Sequence, residues 1–203
     1  MPTKKYNQRV GETLDAKAVI LDCELRLGAL GRTSGDSVAG FAATCAQRIL
    51  SRPLEDSDKT HSPFMTSCEA LLRDIWRGIE KSDPSTRLKV QTGLRALGID
   101  VHRPRYQSLE EEADDDAAAA IIFAAQVFCT GEIAPALWAA RRMLDHADRE
   151  ARSTWLDTSP HLSDGAADPM QAELSRIRRV LHILEAGEWA PSKVKKLMGE
   201  ADD

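Results

Sequence analysis

The sequence of 203 residues has few aromatic side chains and no long apolar run. Four Trp, two Tyr and four Phe make up 5% of the chain, too few for the stacking platforms on which single-stranded nucleic acids bind. No stretch reaches the roughly 18 uncharged apolar residues that span a bilayer, and the polar start, Met1–Val10, has no apolar core of a signal peptide. We therefore expect a cytoplasmic protein without membrane association.

The motifs of several enzyme classes are missing as well. The sequence has no GxxxxGKS/T loop, no glycine-rich loop after a strand, no GxSxG and no HExxH. These absences argue against a P-loop NTPase, a Rossmann oxidoreductase, an α/β-hydrolase and a zincin. The expectation is a protein with no cofactor, no metal and no catalytic residue.

The four cysteines have neither metal-ligand spacing nor the density of a disulfide framework. Cys23, Cys45, Cys68 and Cys129 each lie within an apolar stretch, and no CxxC pair occurs. Buried free thiols are the expected state. The alternative is a reactive thiolate at Cys45, because Arg48 follows it by three residues.

Helix start and stop signals are frequent, whereas strand signals are nearly absent. A capping residue precedes a first-turn proline at Ser62-Pro63, Asp83-Pro84 and Asp168-Pro169. Glycines typical of helix ends are Gly31, Gly98, Gly131 and Gly187. These signals divide the chain into about eight helices. The predicted helices cover residues 13–30, 36–49, 63–81, 84–97, 108–130, 135–155 and 169–186, with a short last helix from Pro191.

Two of these helices define the expected core. The segment AAAAIIFAAQVF at 117–128 is apolar all round, which is typical of a central buried helix. In the first helix, the predicted core-facing stripe consists of Leu14, Ala18, Leu21, Leu25 and Leu30. The predicted fold class is therefore all-α: a single-domain helical bundle of about eight helices around a central Ala-rich helix. The domain is expected over residues 13–199, between a polar segment at 1–12 and an acidic tail at 200–203.

Four stretches resemble one protein family. They are FAATCAQRIL at 41–50, LLRDIWRGI at 71–79, DAAAAIIFAAQVFCTGE at 116–132 and DPMQAELSRIRRVLHIL at 168–184. All are similar to the YjaG-like bacterial proteins, a family of unknown function. The resemblance implies an all-helical single domain from a bacterium, and it implies no reaction. The loop after Arg48 departs from the family because it lacks an aromatic-rich Pro-Asn-Tyr-like element.

An unusual run of acids lies at the start of the central helix. The segment EEEADDD at 110–116 has six carboxylates in seven positions. First-turn acids complement the helix dipole, carboxylates one helical turn apart can bind a divalent cation, and an acidic patch can face a partner. The residues predicted to bind a partner are Glu110, Glu111, Asp114 and Asp115.

Asp116 differs from the other acids because it reaches deepest into the apolar segment. A buried carboxylate needs a cationic partner. The predicted buried ion pair joins Asp116 to Arg141, with Arg48 and Arg73 as alternatives. His146 lies between Asp145 and Asp148 and is expected on a polar surface.

The basic residues Arg176, Arg178 and Arg179 form the second charged group of interest. A solvated face with internal salt links is the expected state. The alternatives are a site for an anion or an acidic partner, and a nucleic-acid surface. The formal charge of −5, from 32 acidic and 27 basic side chains, disfavours nucleic acid because its affinity comes from clustered Lys and Arg.

The favoured function is a non-catalytic bacterial protein-interaction module, of the kind that serves as an immunity or antitoxin-type inhibitor. Its partner would be a protein such as a basic toxin or enzyme, since an acidic patch steers association towards a basic surface. The alternatives are an all-helical metal-dependent enzyme that uses helix carboxylates and a nucleic-acid-associated regulator. A homodimer is compatible with the helical pattern.

Overall fold

The computed structural model describes residues 15–32, 34–51, 63–81, 83–99, 116–157 and 168–187, and this part of the chain is helical without strands. Its seven helices are α1 (Ala16–Gly31), α2 (Gly35–Ser51), α3 (Pro63–Lys81), α4 (Pro84–Ala96), α5 (Asp116–Thr130), α6 (Ala134–Asp157) and α7 (Pro169–Glu185). The all-α class is confirmed, with seven described helices rather than about eight. The predicted helix from Pro191 and the segments 1–12 and 200–203 lie outside the described residues.

Most of the predicted helix ends have the expected geometry. The side chains of Asp83 and Asp168 each accept a hydrogen bond from the backbone two residues on, and a proline follows each cap. Gly98, Gly131 and Gly187 all have a positive φ, near +70°, which glycine adopts without the steric cost that a Cβ brings. Asp–Pro caps and glycine stops thus set these boundaries.

Two helix ends differ from the prediction, and a third predicted end is not tested. Gly31 is the last residue of α1 and not a left-handed stop. The predicted helix over 36–49 has Asp36 as its expected cap, but the cap of α2 is Ser34, because the Ser34 hydroxyl accepts from the Ser37 backbone N–H at 3.2 Å. The predicted start of the central helix at Ser108 lies outside the described residues, which begin again at Asp116.

Helix α5 is the centre of the bundle, as predicted. Every residue from Asp116 to Phe128 is buried, and α5 packs most extensively against α2 and also against α6, α3 and α4. The buried positions of α2 include Ala39, Gly40, Ala42 and Ala43. Because α2 and α5 both present small side chains, their backbones approach closely.

The predicted apolar stripe of α1 is wrong at its two central leucines, whereas Leu30 at its end packs against the core. Val19, Cys23 and Leu27 are fully buried, whereas Leu21 and Leu25 are 59% and 69% exposed. Residues one or two positions apart point to different sides of a helix, so the two leucines turn away from the bundle. The helix carries apolar residues on both sides, and the sequence does not indicate which side is buried.

A bidentate ion pair holds α1 against α7. Arg26 Nε and Nη2 each donate to a carboxylate oxygen of Glu185 at 2.6 Å. Arg26 also contacts Asp22 one turn earlier, at 3.2 Å. The guanidinium holds the pKa of Glu185 below its ordinary value.

Gly78 marks a close contact of three helices. A Cβ at this position of α3 would lie 2.9 Å from Cε2 of Phe128 on α5 and 3.1 Å from Cγ2 of Thr86 on α4. A Cβ at Gly28 of α1 would meet nothing within 4 Å. Alanine in place of Gly78 therefore tests the tight packing, and alanine in place of Gly28 tests helix propensity alone.

We expect Gly78→Ala to lower the free energy of unfolding by about 1–2 kcal/mol, because overpacking against an aromatic ring outweighs the gain in helix propensity. The matched control, Gly28→Ala, is expected to raise it by about 0.5–1 kcal/mol. Urea denaturation followed by circular dichroism measures both values. Stabilisation by both alanines would contradict the close contact at Gly78.

Candidate functional site

The first residue of α5 is the centre of a buried charge cluster. The side chain of Asp116 is only 1% exposed, and three basic side chains of α6 surround it. Arg142 Nη1 lies 3.6 Å from Oδ1, and His146 Nδ1 lies 3.8 Å from Oδ2. Arg149 forms an ion pair with Oδ2 through Nη2.

The spacing of the three bases explains how they meet one carboxylate. Arg142, His146 and Arg149 are separated by four and three residues, so they share one face of α6. The two guanidinium groups keep part of their surface in water, since their side chains are 26% and 43% exposed. Burial therefore removes water from the carboxylate of Asp116. Its charge is balanced by two guanidinium groups that remain partly hydrated.

Asp116 is buried, as predicted, but the predicted partner of its carboxylate is wrong. Arg141 is exposed, because it precedes Arg142 and points about 100° away around the helix. Arg48 and Arg73, which the sequence also offers as partners, contact Glu173 and Glu69 instead. The surface position predicted for His146 is wrong as well, since this residue is only 8% exposed.

The four acids predicted to bind a partner lie outside the described residues. Glu110, Glu111, Asp114 and Asp115 end directly before Asp116 in the sequence. Consecutive Cα atoms are about 3.8 Å apart, so Asp115 adjoins the start of α5. Asp116, the last residue of the acidic segment, is thus the one that contacts α6.

A second buried cluster ties α2 to α7. Arg48 Nη2 and Nε lie 2.7 and 2.8 Å from Oε1 of Glu173, and Arg176 Nε lies 3.3 Å from Oε2. All three side chains are at most 8% exposed. Because Arg176 is buried here, Arg176, Arg178 and Arg179 do not form one exposed basic face, and only the last two are exposed.

The crevice beside this cluster is a packing gap. Arg176 lines it together with Phe41, Thr44, Cys45 and Met143, among others, and it is too narrow to admit a water molecule. It therefore offers no space for a small-molecule ligand in this conformation.

The cysteines are free, and burial makes their thiols less acidic. Cys23, Cys45 and Cys68 are buried as predicted, whereas Cys129 is half-buried. Burial raises the pKa of Cys23 to about 12 and that of Cys129 to about 11. It also raises the pKa of Cys45 well above its ordinary value, so the structure contradicts the reactive-thiolate alternative at Cys45.

Within the described ranges, no group of three or more His, Cys, Asp or Glu side chains is arranged to hold a metal ion. In the same part of the chain, no helix combines the length and apolar character needed to cross a membrane.

Sequence reasoning missed the basic stripe of α6, although a signal for it was present. Arginine or histidine at positions 142, 146 and 149 repeats with helical spacing, which indicates one basic face. The pattern does not indicate which acid contacts this face.

Comparisons of the chain with protein-family models, with curated proteins and with solved structures found no match. The resemblance to the YjaG-like family therefore stays a prediction.

Proposed function

We propose that this protein is a non-catalytic, cytoplasmic protein-interaction module that binds a partner protein through the acidic residues Glu110, Glu111, Asp114 and Asp115. An immunity or antitoxin-type inhibitor is the favoured role. The partner surface is basic, because charge complementarity speeds association and selects partners.

The observation that carries this proposal is the anchoring of Asp116. The acidic segment runs directly into a carboxylate that is buried and held by three bases of α6. Because residues 110–115 directly precede this fixed carboxylate in the sequence, we expect their charge to act at the start of α5.

The distribution of charge along the chain also supports the proposal. Six acids and no base lie within residues 110–116, and the other 26 acids nearly balance the 27 basic residues. Asp116 is already paired inside the protein. The remaining acids of the run therefore carry the largest local excess of charge in the sequence.

Replacing Glu110, Glu111, Asp114 and Asp115 by lysine tests the proposal. The expected result is at least about tenfold weaker capture of the partner in a pull-down from the native host, together with slower association. Association of the unmodified protein is expected to slow as salt is raised.

The control reverses four acids elsewhere, Glu80, Glu132, Asp202 and Asp203, and so changes the total charge by the same amount. This variant is expected to keep its partners, and circular dichroism verifies that both variants are folded. Retention of every partner at unchanged affinity by the first variant would contradict the assignment of the acidic segment.

A further inference from the structure

We draw no further inference here: the strongest candidate, the exposed apolar face of α1 around Leu21 and Leu25, carries no proposal because nothing in the part of the chain that the structure describes shows what covers it.

Discussion

Replacing Glu173 by leucine is expected to lower the free energy of unfolding by about 3–5 kcal/mol, one of the two largest effects that the structure predicts. Glu173 is the shared partner of Arg48 and Arg176, with oxygen–nitrogen distances of 2.7 and 3.3 Å. Both arginine side chains are buried. Neither guanidinium reaches water easily when the carboxylate is removed, so two buried cations lose a partner at once.

Arg48→Met provides the comparison for this variant. It removes one cation and leaves Glu173 in contact with Arg176, so we expect a smaller loss, of about 1–3 kcal/mol. The double variant is expected to be less destabilised than the two single effects added together, since the residues form one network. Urea denaturation at neutral pH gives all three values. A loss below about 1 kcal/mol for Glu173→Leu would show that the pair contributes little.

Replacing Asp116 by alanine is expected to cost about 2–4 kcal/mol of unfolding free energy. The carboxylate is as well buried as Glu173, but its partners differ. Arg142 and Arg149 are 26% and 43% exposed at their side chains, so they regain hydration when the acid is lost. The expected effect is therefore smaller than that of Glu173→Leu.

The control for Asp116 is Asp36→Ala in α2. Asp36 is also a first-turn acid, but it is 41% exposed and 3.9 Å from Arg87. It reports the helix-dipole contribution without the buried cluster, and we expect a loss below about 1 kcal/mol. Thermal or urea denaturation of both variants separates the two effects. Equal losses would mean that Asp116 acts through the helix dipole alone.

Asp116 also connects stability to the proposed function. If its contacts hold the end of the acidic segment, Asp116→Ala is destabilising and also removes the anchor of Glu110, Glu111, Asp114 and Asp115. Reversal of those four acids removes their charge without touching the buried cluster. The two kinds of variant therefore distinguish loss of the anchor from loss of the acidic surface.

Local signals in the sequence were sufficient for much of the fold. Asp83 and Asp168 each precede a proline, and Gly98 and Gly131 stand where a helix stops. Capping and left-handed glycine depend on neighbours within about four residues, so they can be read along the chain. The burial of α5 was equally readable, because a helix without a polar face is stable only inside a protein.

Predictions that required contacts between distant residues succeeded only in part. The sequence indicated that Asp116 needs a cation, yet the position of α6 around its axis selects Arg142, His146 and Arg149 over Arg141. Likewise, Arg48 and Glu173 are 125 residues apart, and no local pattern pairs them. The geometry of the acidic segment itself lies outside the described residues, so its role stays a prediction.

Helix α1 shows most clearly which features follow from the sequence and which depend on tertiary packing. The sequence predicted a helix over residues 13–30 with one apolar stripe, and the structure has the helix at Ala16–Gly31, after the Asp15 cap. Apolar residues in fact lie on two opposite sides of this helix. Both sides satisfy helical periodicity, so the sequence alone does not choose between them. The tertiary structure chose Val19, Cys23 and Leu27 for the core, because that side packs against α2 and α7 while the Arg26–Glu185 pair holds the helix in this rotation. The same choice leaves Leu21 and Leu25 on the surface.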